Sequence, residues 1–334
     1  MKWLRRVLVV IIVVVLAALF VKNDGIQYTA AFVSRSWGRP FDAAAYPVDS
    51  NCDGQTPCGS GVLKVLTFNV LCRVCEKEGY DPWELRLPHI REVIERYDAD
   101  LVGLQELGGE GDVYAVIGEG SPYDYVAYEF GPWVYADCAL LFRRERFELL
   151  DSGQVWLSPK PMVPFALAWK PLSVPRYVNW AHLRQRENGF EFLYVNTHFD
   201  NNAPNKEAAA SLFAETFGPA ARQMPVVATG DFNTNPTAQR YEALQGRAAT
   251  GTLFENAADL VAKKELAQAA TPDEAARTES FVNADQLIDH VFVGGPGDKE
   301  VTRWVLEAPV YGPDNRRPSD HPAVYAELSF NLRP

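Results

Sequence analysis

The chain lacks a surplus of positive charge. Its 32 Lys+Arg face 43 Asp+Glu, a formal net charge of −11, whereas proteins that hold long nucleic acids non-specifically normally present a basic face. The basic clusters are small: Arg143-Arg144 with Arg146, Arg184 with Arg186, and Arg316-Arg317. They read as solvated surface, although a positive rim around a cleft is compatible with overall acidity. There is also no internal repeat, no Pro/Ser-rich linker in the body, and no long disordered tail beyond the first forty or so residues. Roughly 280 residues remain, enough for one large or two medium domains. Without a linker the expectation is one. Histidine is scarce, with 5 residues, so the place of each carries information.

One long apolar run stands out, at the extreme N-terminus. Lys2, Arg5 and Arg6 precede Val7 to Val21, which carries no charge, and Lys22 follows. Fifteen helical residues span roughly 22 Å, short of a hydrocarbon core of about 30 Å. That length suits a signal-peptide core or a short anchor. Bulky Leu19-Phe20-Val21 offers no small-x-small cleavage site, so an uncleaved anchor is favoured. The basic residues before the run place the body across the membrane, periplasmic or extracellular, or secreted if the segment is cleaved. The 5 cysteines fit an oxidising compartment. Cys52 and Cys58 form one group and Cys72-x-x-Cys75 another, with Cys138 left over. Two local disulfides or cross-pairing between the groups are both open. A zinc site is the alternative for Cys72-x-x-Cys75, but no further His or Cys pair has matching spacing.

The expected organisation is an N-terminal signal-anchor or signal peptide over 1–22, a Gly/Pro/Ala-rich tether over 23–61, and a folded domain over 62–334. Strands are predicted at 62–70, 101–104, 123–130, 139–143, 147–157, 177–186, 190–197, 226–229, 287–293, 301–307 and 324–330. Helices are predicted at 82–97, opened by Pro82, and at 205–217 and 239–245. Strands outnumber helices and alternate with some of them, an α/β (α+β) layout with sizeable sheets. The segment from Pro159 to Pro175 holds five prolines. It is excluded from a central strand and is placed as a cleft wall.

Several apolar strands end in a polar residue. Leu66-Thr67-Phe68 leads to Asn69, and Leu101-Val102-Gly103-Leu104-Gln105 to Glu106. Phe192 to Val195 leads to Asn196-Thr197-His198, and Val226-Val227-Ala228-Thr229-Gly230 to Asp231-Phe232-Asn233. Leu287-Ile288 leads to Asp289-His290, and Ser319 is followed by Asp320-His321. A lone Asn or Glu after a strand is usually a turn residue. Six such placements favour one shared site. An Asp and an Asn two apart at a strand end can point into one cleft. There the carboxylate can take a proton from water or hold a metal, and the amide can orient water or an anion.

On these motifs the chain resembles the endonuclease/exonuclease/phosphatase family, the DNase I-like metal-dependent phosphoesterases. Thr67-Phe68-Asn69-Val70, Gly103-Leu104-Gln105-Glu106, Asn196-Thr197-His198, Gly230-Asp231-Phe232-Asn233, Ile288-Asp289-His290 and Ser319-Asp320-His321 occur in the family's order, across about Val62 to Leu328. The Gln154-Val155-Trp156-Leu157-Ser158-Pro159 stretch, followed by Arg176, looks most like the secreted bacterial branch. The resemblance implies a four-layer sandwich of two packed mixed β-sheets flanked by helices, with the site at one rim.

It also implies roles. Glu106 would ligate Mg²⁺ or Mn²⁺ with Asn69 close by, and Asp289 would support the metal and water network. Asp231 would orient or deprotonate the attacking water, and Asn233 would hold that water or a phosphate oxygen. His198 and His321 would donate to the non-bridging oxygens, and Asp320 would bond the other ring nitrogen of His321. Arg176 would contact phosphate. His290, His182 and His89 read as structural. Leu71 stands where the family's DNA-repair endonucleases carry a second acidic residue, which speaks against abasic-site repair.

The activity so implied is exported, membrane-tethered hydrolysis of a phosphoester. A lipid head group or small phosphoester is favoured over nucleic acid, with an extracellular nuclease as the alternative. Nothing in the chain points to a protein partner. A catalytically silent binding protein would keep the fold but lose part of this polar set. A redox protein using Cys72-x-x-Cys75 would need that pair at a helix N-terminus.

Overall fold

The computed structural model describes residues 2–22, 37–45, 60–75, 77–128, 137–163, 166–170, 173–247, 251–267, 269, 271–282 and 286–332. Successive residues of a strand face opposite ways, and in β1 (Ser60–Asn69) both sets are apolar. Leu63 and Val65 enter one core, Leu66 and Phe68 another. In β7 (Glu191–His198), Phe192 and Tyr194 join the first core, while Leu193 and Val195 enter a third. Strands buried on both faces produce near-continuous apolar runs rather than alternation. Two sheets therefore share a central core, and each carries helices on its outer face.

The first sheet also contains β2 (Leu101–Leu107), β3 (Tyr123–Ala127), β4 (Asp137–Arg143), β10 (Glu265–Leu266), β12 (Asp298–Glu307) and β13 (Ala323–Asn331), in the order β10-β12-β13-β1-β2-β4-β3. The second joins β7 to β5 (Phe147–Trp156), β6 (Tyr177–Gln185), β8 (Val226–Asp231), β9 (Phe254–Asn256) and β11 (Asp289–Gly294), in the order β5-β6-β7-β8-β11-β9. The β1–β2, β7–β8 and β10–β12 pairs are parallel and the other named pairs antiparallel, so both sheets are mixed.

Helices α2 (Trp83–Tyr97) and α3 (Glu110–Ile117) cover the first sheet through Trp83, Ile90, Val93, Val113 and Val116. Helices α4 (Ala203–Ala221) and α5 (Gln239–Leu244) cover the second through Ala210, Phe213, Phe217 and Leu244. Two further helices, α6 (Ala257–Leu260) and α7 (Pro272–Val282), complete the body. This is the four-layer sandwich expected. Helix α3 and the short β9, β10, α6 and α7 were not predicted.

Ahead of the body, α1 (Lys2–Lys22) exposes its apolar side chains from Val7 to Phe20. Among the described residues no helix is long and apolar enough to cross a membrane. Most of the expected tether lies outside the described residues. Of its described parts, 60–61 already belong to β1 and 37–45 lie against the domain: Gly38 N donates to Met162 O at 2.9 Å, and the Phe41 ring meets Trp180 edge-on at 5.3 Å.

The sheets are locked by polar groups crossing the central layer. Asn196 Nδ2 donates to Leu104 O (2.9 Å) and Ala139 O (3.0 Å) of the facing sheet. Its Oδ1 accepts from Gln105 Nε2 at 2.8 Å and lies 3.0 Å from Thr229 Oγ1. This close approach requires Gly103, where a β-carbon would lie 2.2 Å from Thr229 Oγ1 and 2.6 Å from Asn196 Oδ1. Gly103→Ala should therefore destabilise the protein by about 1–3 kcal/mol in urea denaturation. Gly111→Ala in α3, where a β-carbon meets nothing within 4 Å, should be neutral or gain up to about 1 kcal/mol.

Candidate active site

Strand direction gathers the site. β1, β2, β7 and β8 run towards one rim, while β4, β11 and β13 run away from it. Asn69, Glu106, His198 and Asp231 come from the ends of the first group. Asp137 and Asp289 come from the starts of the second, and His321 lies just before β13. Register carries His198 and Asp289 to either side of Asp231.

Asp231, 2% exposed, is the hub. Asn69 Nδ2 bridges the two sheets, 3.2 Å from Asp231 Oδ2 and 3.1 Å from Glu106 Oε1. The Nε2 atoms of His198 and His321 lie 3.3 and 3.7 Å from Asp231 Oδ2. The backbone N–H of Asn233 donates to Asp231 Oδ1 at 2.9 Å. The Asn233 amide nitrogen donates to Phe199 O at 2.8 Å, which fixes the side chain expected to hold water or a phosphate oxygen. Glu106 is turned out of its strand by a register shift between Gln105 and Leu107 and by a left-handed backbone, φ +66°. Such a bulge re-aims a side chain, and strain of this kind gathers at functional sites.

Each catalytic-type histidine is held by a carboxylate. His321 Nδ1 lies 2.8 Å from Asp289 Oδ2. Asp320, expected in that role, instead forms an ion pair with Lys77. The two lie in a bend ahead of β13, and His321 is the one turned to Asp289 and Asp231. His198 Nδ1 lies 2.9 Å from Asp137 Oδ1. Arg176 forms a buried ion pair with Asp137 and lies 2.8 Å from His198 Nδ1. It was expected on phosphate; its partner is Asp137. Sequence reasoning missed Asp137 because it opens a strand, ahead of the apolar run Cys138 to Phe142, rather than closing one.

Burial alone would lower the His321 pKa, but Asp289 and then Asp231 hold it well above the ordinary histidine value. Burial pushes Asp289 up to about 6, against the pull of His321. Burial would raise Asp137 too, yet Arg176 and His198 keep it well below the usual carboxylate range.

The loops at the rim are stitched from behind. The Arg86 guanidinium, 1% exposed, donates to the carbonyls of Val70, Leu71, Cys72, Asp81 and Pro318. Ser319 Oγ donates to Asn69 O at 2.6 Å. Cys72 and Cys75 form a disulfide beside Glu106. Cys138 is a buried free thiol, and Cys52 and Cys58 lie outside the described residues.

The other histidines are away from the cluster, as expected. His290 bonds Thr234 O (2.8 Å) and packs against Phe292. His182 Nε2 lies 3.0 Å from Glu191, and His89 stacks on Tyr311. Among the described residues two groups bring metal-capable atoms within 4.8 Å of one another: Asp231, Asp289 and His321, and Cys72, Cys75 and Glu106.

The sequence profile of the Endonuclease/Exonuclease/phosphatase family matches residues 66–321. The chain is 25% identical to Nocturnin of Xenopus laevis over 307 residues, 81% of this chain and 74% of that protein. It is 24% identical to Protein angel of Drosophila melanogaster over 215 residues, 59% of this chain, and spans only 60% of that relative's length. The solved structure of a mannosyl-6-phosphatase from Bacteroides thetaiotaomicron superposes with a TM-score of 0.66 at 25% identity, covering 80% of this chain and 100% of that one.

Asp137→Asn keeps the shape but leaves the Arg176 guanidinium without its ion pair. It should cost about 3–5 kcal/mol in urea denaturation. His321 has a pKa raised on folding, so its stabilising contribution is complete below about pH 6.5 and fades as pH rises through the raised value. The melting-temperature gap between wild type and His321→Asn, measured with chelator present, should therefore shrink as the pH becomes alkaline.

Proposed function

The chain belongs to the endonuclease/exonuclease/phosphatase family, and on that premise we propose that it is a divalent-metal-dependent phosphoesterase acting at this rim. The observation that carries the reading is the position of Asp231: one buried carboxylate shared by Asn69, which also holds Glu106, and faced by two histidines with carboxylate-bound Nδ1 atoms.

The donor set fits a hard cation. Glu106, Asp231 and Asp289 offer carboxylate oxygen, and Asp289 Oδ1 is buried without a hydrogen-bond partner among the described residues. Oxygen ligands suit Mg²⁺ or Mn²⁺. Glu106 would hold the ion, with Asn69 and Asp289 beside it. Bound there, it supplies Lewis-acid polarisation of a phosphoryl oxygen and offsets developing negative charge.

The remaining steps belong to the protein's own groups. Asp231 accepts a proton from the attacking water, its second oxygen fixed by the Asn233 N–H. His198 and His321 present Nε2 to the cleft, where N–H groups stabilise charge growing on the non-bridging oxygens. Asp137 and Asp289 fix the ring orientations, and Arg176 secures Asp137.

A lipid head group or a small phosphoester is the favoured substrate class. The net charge of −11 speaks against tracking a long polyanion, and a sugar phosphatase stands among the similar structures. The reading places the domain outside the cytoplasm, tethered by or released from its N-terminal segment. The basic residues before Val7 and the Cys72–Cys75 disulfide support it.

The test is hydrolysis by the purified protein with Mg²⁺, Mn²⁺ or chelator, against RNA, DNA, sphingomyelin, phosphoinositides, a sugar phosphate and a generic diester. Chelator-sensitive turnover of one class is expected, with weak salt dependence if that class is not a polynucleotide. Asp231→Asn should lower kcat about 10²–10⁴-fold while the melting temperature holds. Glu106→Gln should lower activity and raise the Mg²⁺ concentration required. Wild-type turnover by Asp231→Asn would remove the base assignment. A folded, metal-loaded protein that hydrolyses nothing would remove the enzyme reading.

A further inference from the structure

The loop leaving β1 sets a disulfide against Glu106. Cys72 N donates to Glu106 Oε2 at 3.0 Å, and Cys75 Sγ lies 3.9 Å from the same oxygen. Cys75 is exposed, so a reductant can reach the bond, while Cys72 is buried. The loop does not depend on the disulfide alone. Arg86 donates to the carbonyls of Val70, Leu71 and Cys72, and Cys75 N donates to Cys72 O at 3.1 Å. With the S–S bond opened, these bonds still hold both sulfurs beside the carboxylate. Two thiolates and a carboxylate whose ligand atoms lie within 4.8 Å of one another supply three of the four donors of a tetrahedral thiophilic cation.

The geometry points to a second metal site that exists only in the reduced protein: Cys72, Cys75 and Glu106 binding a thiophilic divalent cation of the Zn²⁺ type, in competition with the hard cation for Glu106. The chemistry balances. A dithiol delivers two electrons and two protons, the Cys72–Cys75 bond breaks, two thiols form, and the reductant leaves as its own disulfide. The cation then displaces both thiol protons to solvent. Because Glu106 is common to both sets, the redox state of the loop selects which kind of cation the rim holds. The effect on turnover rests on Glu106 holding the catalytic ion as proposed above. The binding site itself does not.

Cd²⁺ is the probe, because its thiolate complexes absorb in the ultraviolet and carboxylate complexes do not. The full chain, with Cys52 and Cys58 replaced by serine in every variant so that their thiols add no band, is compared oxidised, and after reduction with a dithiol and anaerobic desalting. One equivalent of Cd²⁺ should generate the thiolate absorption in the reduced protein and none in the oxidised. Cys75→Ser should abolish it. Glu106→Gln should keep the absorption but weaken Cd²⁺ affinity by about tenfold or more against a chromophoric chelator. Absence of the band in the reduced wild type, its persistence in Cys75→Ser, or unchanged affinity in Glu106→Gln would each overturn the site. In turnover assays one equivalent of Zn²⁺ should inhibit only the reduced protein. Full activity with the Cd²⁺ site demonstrably formed would overturn the competition for Glu106. A protein without phosphoesterase activity would still show or lack the absorption, so the two readings fail separately.

Discussion

The amide of Asn196 holds the two sheets at a fixed offset, and the site depends on that offset. It donates to Leu104 O and Ala139 O from the opposite sheet, two residues below the rim on each strand it touches. Three pairings of the cluster cross the same gap. Asn69 reaches Asp231, Asp137 reaches His198, and Asp289 reaches His321, each joining one sheet to the other. A slip between the sheets would part all three at once. Leaving buried amide and carbonyl groups unpaired costs roughly 1–3 kcal/mol each, which opposes such a slip before the cluster itself contributes.

Most of the strands and the rim were legible in the amino-acid sequence because both depend on local pattern. Strands covered on two faces read as apolar runs, and the first polar residue after such a run lies at the rim. That logic located Asn69, Glu106, His198 and Asp231. It failed where direction reverses: Asp137 precedes its run, and nothing local marks a strand start as equivalent to a strand end. Two further expectations came from the family resemblance, not from local pattern. Asp320 and His321 are chain neighbours, but their side chains diverge to Lys77 and to Asp289. The phosphate role of Arg176 was implied by the resemblance, while its ion pair with Asp137 is a tertiary fact. Strands as short as Glu265–Leu266 carry no period, and this one is recognisable only by its pairing to β12.

Preorganisation comes from behind the cleft. Arg86 is a buried cation satisfied by five carbonyl oxygens, and burial lowers its pKa. Its planar fork suits this multidentate role, which lysine could not reproduce. It joins the loop after β1 to the loop before β13, so Asn69 and His321 are set relative to each other before any ligand arrives. Groups fixed in advance need no reorganisation as charge develops, a large part of electrostatic catalysis.

The left-handed backbone at Glu106 has a consequence for how this protein responds to engineering. A non-glycine residue held in that region gives up roughly 1–3 kcal/mol, and glycine there would recover much of it. Directed evolution scored on heat tolerance alone would thus be drawn to this position, and the survivors would be sturdier proteins with the Glu106 carboxylate gone from the rim. Thermal robustness and chemistry pull in opposite directions at one residue, so any library built on this scaffold has to hold position 106 constant or score turnover in the same round.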